Sequence, residues 1–177
     1  IEAGADVNAV TANDGATPLY IGAQKGHLAV VTKLIAAGAD VNKARTTDGA
    51  TPLYIAAQNG HLAVVTKLIA AGAIVDTAET GHGSTPLYIA AENGHLTVVS
   101  KLIAAGADVN KAETTEGATP LFIAALNGHL TVVTKLIAAG ADVDKATTEG
   151  CIPLYIAAYK GHLTVVTKLI AAGADVN

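Results

Sequence analysis

Residues 51–73 read TPLYIAAQNGHLAVVTKLIAAGA, and the fold of the whole chain follows from how that stretch is punctuated. Thr51 can accept a backbone N–H, and Pro52 lacks only a donor that a first turn leaves unused, so a helix is predicted to start at Pro52. Leu53, Ala56 and Ala57 share one face, and Asn59-Gly60 closes the segment with residues suited to left-handed backbone, giving a helix of about eight residues. A second helix begins near His61. It carries Leu62, Val65, Leu68 and Ile69 at helical spacing and stops at Gly72, with Ala63, Thr66, Lys67 and Ala70 on a small or polar opposite face. Upstream, Asp40 to Ala50 has no helical period and closes on Asp48-Gly49, which predicts an extended finger or β-hairpin.

The same text recurs along the chain. Pro18, Pro52, Pro86, Pro120 and Pro153 are separated by 34, 34, 34 and 33 residues, a period that marks stacked repeats. Residues 6–39, 40–73, 74–107, 108–141 and 142–174 form five copies, with 1–5 and 175–177 as partial copies in a single domain spanning 1–177. Residues 40–73 and 108–141 differ only at Arg45/Glu113, Asp48/Glu116, Tyr54/Phe122, Gln58/Leu126 and Ala63/Thr131. Helices this short are marginal in isolation. Stacking would bury the leucine, valine and isoleucine faces in one seam, at roughly 1.5–3 kcal/mol per side chain, while the paired alanines let neighbouring helices approach closely.

Composition agrees with a regular, small-residue architecture. Of 177 residues 51% are hydrophobic and 3% aromatic, with 18 glycines, no Trp and a net charge of −4; such a chain can bury enough surface to fold. No apolar run approaches the roughly 20 residues of a membrane-spanning helix. The single Cys151 permits no internal disulfide, which favours an intracellular setting. With no initiator Met and no leader-like segment, a trimmed piece of a longer product is expected.

The run Thr51-Pro52-Leu53-Tyr54-Ile55-Ala56-Ala57, then Asn59-Gly60-His61-Leu62, Ala70-Ala71-Gly72-Ala73 and an Asp108-Val109-Asn110-type start resembles the ankyrin repeat over essentially the whole chain. The resemblance implies an all-α solenoid of helix-turn-helix units with β-hairpin-like fingers. Tetratricopeptide repeats share the period but use longer paired helices and a Trp-Leu-Gly start, neither of which occurs here. Two departures stand out: four fingers carry one residue beyond the usual 33, and the His of the usual Thr-Pro-Leu-His start is replaced by Tyr20, Tyr54, Tyr88, Phe122 and Tyr155. The family's histidine bond between repeats is therefore in question at that position, and ring packing is expected to dominate.

The residues that could carry chemistry are spread one per unit. His27, His61, His95, His129 and His162 would sit ~8–10 Å apart on packed helices, too far to share a zinc at about 2.0–2.1 Å; a structural role in the interhelical turn is expected. The aspartates at 6, 40, 108, 142 and 175 recur at a turn, where they bond nearby backbone. Lys33, Lys67, Lys101, Lys135 and Lys168 form an outer row without interleaved aromatics, a solvated face and not a nucleic-acid surface. Cys151 has no activating base beside it and lies near Glu149. No catalysis, metal or cofactor is expected.

What varies is confined to two places: the fingertips, with Asp14, Asp48, His82, Glu116 and Glu149, and the ends of the first helices, with Gln24-Lys25, Gln58-Asn59, Glu92-Asn93, Leu126-Asn127 and Tyr159-Lys160. In ankyrin proteins these places line the concave groove, so the resemblance implies a non-catalytic module that binds a protein partner there. Acidic fingertips favour a basic partner, with Leu126 and Tyr159 as an apolar anchor. Nucleic acid and membrane are not expected, and a monomer is, with end-to-end self-association as the open alternative. A spacer within a longer array and an engineered binder also remain open.

Overall fold

Proline and the hydroxyl before it decide where the first helix of each unit starts. The computed structural model describes residues 6–176; the partial copy at 1–5 and Asn177 lie outside the described residues. Ten helices follow in order: α1 Pro18–Gln24, α2 Leu28–Ala36, α3 Pro52–Gln58, α4 Leu62–Ala70, α5 Pro86–Glu92, α6 Leu96–Ala104, α7 Pro120–Leu126, α8 Leu130–Ala138, α9 Pro153–Tyr159 and α10 Leu163–Ala171. Thr17, Thr51, Thr85 and Thr119 have extended backbone, and each Oγ1 accepts the N–H three residues on at 3.1–3.2 Å. At α9 the cap position is Ile152, which offers no such acceptor. Thr119→Ala is expected to cost about 1 kcal/mol, read as a lower urea midpoint with an unchanged slope.

The odd helices stack on one another in the order α1, α3, α5, α7, α9, the even helices stack behind them, and each odd helix also packs on the even helix that follows it. Leu53, Ala56, Ala57, Val65 and Leu68 are at most 1% exposed, and their counterparts extend the same seam. One expectation is corrected: Val64 lies in the seam, whereas Leu62 is 38% exposed and Ile69 only partly buried. At about 100° per residue, 64, 68 and 65 fall within one arc of about 100°, and 69 and 62 lie beyond the same edge of it.

Fixed hydrogen bonds cross each boundary between units. The Nε2 of His61, His95, His129 and His162 donates to the carbonyl oxygen of Gln24, Gln58, Glu92 and Leu126 in the preceding unit, at 2.9–3.0 Å. These four histidines are structural as expected, but their rings tie units together and make no capping bond to the helix that follows them. Gly60 shows how tight this joint is: it has φ of 72°, and a Cβ there would lie 2.8 Å from the His95 ring. At the other end of the unit, Asp40 Oδ1 accepts Asn42 N–H at 2.9 Å, the local turn bond anticipated for these aspartates. Asn42 then ties the end of its own unit to the next, its Nδ2 donating to Gly72 O at 3.3 Å and its Oδ1 accepting Ile74 N–H of the following unit at 2.9 Å.

The fingers depart from the expected hairpin. Among the described residues there is no strand; each finger is a turn followed by a second turn or, at residues 80–82 and 114–116, a bend at the tip. Arg45 N–H donates to Ala50 O and Gly49 N–H to Arg45 O, both at 2.9 Å, and the polypeptide then enters α3 with no ladder. Neighbouring fingertips are joined by single backbone bonds, from Thr46 N–H to Asp14 O, Thr80 N–H to Asp48 O, Thr114 N–H to His82 O and Thr148 N–H to Glu116 O, at 2.7–3.1 Å. The extra residue lies in the tip itself. Gly49 bonds back four residues to Arg45, whereas in the fifth unit Gly150 bonds back three residues to Thr147, at 2.9 Å.

Candidate functional site

The tips and the first helices face each other across a trough whose shape depends on one finger position that the sequence leaves unremarked. This position is Thr11, Arg45, Glu79, Glu113 and Thr147 in successive units. Thr11 Oγ1 accepts Ala16 N–H at 3.0 Å, and Thr147 Oγ1 accepts Cys151 N–H at 3.2 Å. Glu79 and Glu113 fill the role more completely and are 7% and 5% exposed. Glu79 Oε1 accepts His82 N–H at 2.7 Å, Ser84 N–H at 3.1 Å and Ser84 Oγ–H at 3.0 Å. Glu113 accepts N–H groups of Thr115, Glu116 and Ala118 at 2.7–2.9 Å. Burial raises each carboxyl's pKa, but these donors outweigh it and hold both below the ordinary glutamate value.

Arg45 solves the same problem with a cation. Its guanidinium lies 4.9 Å from the Tyr20 ring centroid, its Nε donates to Asp48 Oδ1 at 3.0 Å, its Nη2 also pairs with Asp48, and Asp14 Oδ2 is 4.0 Å from Nη1. Asp48 in turn accepts Ala50 N–H at 3.1 Å. The hydrogen bond from Arg45 is the main cause of the lowered pKa of Asp48; the bond from Thr11 is the main cause for Asp14. These two fingertip carboxylates thus turn partly into their own fingers.

The tyrosine row lies beneath. Tyr54 Oη is 3.0 Å from Ser84 Oγ, and because Ser84 donates its proton to Glu79, the tyrosine is the donor. Tyr20 Oη is buried with no hydrogen-bond partner among the described residues, since the residue equivalent to Ser84 is Ala50. Phe122 is 7% exposed. Ring burial is shared by Tyr20, Tyr54 and Phe122, as the substitution at Phe122 suggested, while Tyr88 is only partly buried and Tyr155 is 57% exposed.

The predicted contact residues separate into groups. Asp48, Gln58 and His82 line a cleft of about 300 Å³ with Tyr54; Gln58, His82, Glu92 and Glu116 line a neighbouring one of about 390 Å³ with Tyr88. Gln58, Glu92, Asn93 and Asn127 line a shallower depression of about 670 Å³. Glu149 lines a separate cleft of about 740 Å³ at the fifth unit, beside Cys151 and Tyr155. Gln24, Lys25, Leu126, Tyr159 and Lys160 line none of these. Leu126 is partly buried against the core. Tyr159 is 73% exposed, stacked on Tyr155 with centroids 6.5 Å apart, and has Lys160 Nζ 5.6 Å from its ring centroid. The amides of Asn59 and Asn93 donate to Ile55 O and Ile89 O at 2.8 Å, and that of Asn127 to Glu92 O at 3.1 Å, so they serve the helix ends.

Sequence reasoning missed Arg45, Glu79 and Glu113 as groove-shaping residues. The signal was their polarity: in an otherwise near-invariant unit, this position changes identity freely but always carries a hydrogen-bonding group. Among the described residues no cluster of three or more His, Cys, Asp or Glu is placed to hold a metal, and no helix is long and apolar enough to cross a membrane.

No curated protein gives a significant match to the sequence. A family model described as ankyrin repeats in three copies matches residues 23–113 and 105–177. With that match over most of its length and its helix pairs stacked unit on unit, the chain belongs to the ankyrin-repeat family, whose members are generally protein-interaction modules and typically non-enzymatic.

Proposed function

We propose that the chain is a non-catalytic module, one continuous domain, that binds a protein partner along the trough between its fingertips and first helices. The observation that carries this is the division between what is fixed and what varies. The seam leucines and the bridging histidines repeat from unit to unit and the capping threonine recurs in four of the five, while Gln24, Gln58, Glu92, Leu126 and Tyr159 share one structural position, the end of the first helix, and vary there. The side chains best suited to catalysis are committed elsewhere: four histidines donate to carbonyl groups of the preceding unit, and the recurring aspartates close turns. Because packing fixes the scaffold, little ordering entropy is lost on binding.

The test converts the variable position to the residue that units one and two already carry. Leu126→Gln with Tyr159→Gln is expected to retain the melting temperature within a few degrees but to lose, in affinity capture from the source lysate, a protein that the parent chain retains. A control on the outer row, Lys67→Glu with Lys101→Glu, is expected to retain it. Equal recovery by all three would favour the spacer reading, for which the near-identity of the units is the supporting observation.

A further inference from the structure

Two rings of the tyrosine row are left open beside carboxylates: Tyr155 in the fifth unit, 57% exposed, and Tyr88, whose cleft lies between the third and fourth fingers. Tyr20, Tyr54 and Phe122 are 1%, 9% and 7% exposed, whereas Tyr88 is only partly buried and lines the 390 Å³ cleft. Around it stand Glu92, one helical turn along α5, Glu116 at the fingertip and the latched Glu113, with His82 opposite and no Lys or Arg. All three carboxylates act on the Tyr88 hydroxyl, adding to burial in raising its pKa.

The molecule itself contains the filled counterpart of this cleft. Over Tyr20 the corresponding space is occupied by Arg45, stacked on the ring and paired with two carboxylates. Over Tyr88 the residue equivalent to Arg45 is Glu113 of the following unit, which withdraws into its own finger and leaves the ring without its cation. One acidic partner is kept, Glu116 in the place of Asp48; His82 stands in the place of Asp14, and Glu92, where Tyr20 has Gln24, supplies the second carboxylate. The neighbouring positions do not repeat this: the Tyr54 cleft is lined by Arg45, and Phe122 has Leu126 where Tyr88 has Glu92.

We propose that the Tyr88 cleft receives an arginine side chain of the partner, its guanidinium over the Tyr88 ring and paired with Glu92 and Glu116, as Arg45 sits over Tyr20 with Asp48 and Asp14. A planar guanidinium can stack and pair at once, which a lysine ammonium does less well. This rests on the reading of the trough as the partner-binding face and names the chemistry of its occupant.

The probe is acetyl-Gly-Gly-Arg-Gly-Gly-amide, titrated into the isotope-labelled chain at low salt and followed by amide NMR shifts, beside the same peptide with citrulline or lysine. The arginine peptide is expected to move resonances around residues 88, 92 and 113–116. Citrulline, or the Glu92→Gln/Glu116→Gln variant, is expected to weaken binding at least about tenfold, and lysine several-fold. Neither variant carboxylate makes a hydrogen bond within the protein that the fold needs, and an unchanged melting curve checks this. Binding by citrulline equal to that by arginine, or shifts scattered over the acidic surface, would overturn the proposal. The two readings fail separately. A captured partner that is lost on Leu126→Gln/Tyr159→Gln but unaffected by Glu92→Gln/Glu116→Gln keeps the trough and removes the arginine site. With no trough-dependent partner, the peptide titration alone decides the site.

Discussion

Leu87→Ala is expected to lower the unfolding free energy by about 2–5 kcal/mol. Leu87 lies in α5, in the third of five units, and is 0% exposed. Its removal takes apolar surface from the seam and leaves a cavity between helices that are held by α3 and α7 on either side and cannot collapse freely. Each unit touches only its neighbours, so stability is close to a sum of unit and boundary contributions. A defect in the middle should therefore weaken the coupling between halves, and urea unfolding should broaden or divide where the parent shows one transition. Leu163→Ala is the internal comparison. That side chain is 74% exposed, and its loss should cost no more than about 0.5 kcal/mol. Equal costs for the two variants would contradict the seam described above.

Acid should loosen the third and fourth fingers before it melts the helices. Glu79 and Glu113 have folded pKa values below the ordinary 4.5. A carboxyl depressed in the folded state contributes stability that is fully present above its unfolded value and is lost as pH falls through the folded one. The window therefore opens near pH 4.5 and extends downward. Glu113→Gln is expected to cost about 1–3 kcal/mol at pH 7, because an amide NH₂ meets backbone N–H donors that a carboxylate satisfies. Near pH 3 the gap should shrink, because the parent carboxyl is then protonated and has itself become part donor. Measuring the stability of both proteins from pH 7 to 3 tests this, and a difference that does not narrow in acid would assign the effect to side-chain size instead of charge. Asp14 and Asp48 are depressed in the same direction, so the comparison with the variant, and not the parent curve alone, isolates the buried glutamate.

How much could be read from the sequence depends on the range of the interaction concerned. Thr51-Pro52 and Asn59-Gly60 announce helix ends through bonds spanning three or four residues, and the observed α3 begins and ends where those signals lie. The expected seam includes Leu62 and Ile69 and omits Val64 because an eight- or nine-residue helix allows more than one plausible apolar arc, and only the neighbouring helices choose between them. Between the extended finger and the hairpin that the sequence left open, the finger without strands is observed: Asp48-Gly49 correctly marks a turn, but strand pairing needs partners on both arms, and the finger gives its outward bond to the next finger. The reach of His61 to Gln24 and of Asn42 to Gly72 spans 37 and 30 residues, invisible to local pattern. The contact residues divided likewise. Gln58, Glu92, His82 and Glu116 converge because fingertips overhang first helices, while the roles of Glu79 and Glu113 depend on a carboxylate folding back onto its own loop, for which nothing but their polarity gives a cue.

The histidine bonds are the same at successive joints, and the N–H that Asn8, Asn42 and Asn110 accept from the next unit is accepted by Asp76 and Asp144 elsewhere in the row. A boundary with one fixed specification carries no address: it cannot distinguish the second unit from the fourth. The array thus behaves like type set in a composing stick, in which any piece fits beside any other and the joints put no restriction on the message. Copies can be duplicated, lost or shuffled while every seam closes as before, and natural change can rewrite one face of one unit without renegotiating its neighbours. Identity along the row resides entirely in the few side chains that overlook the trough.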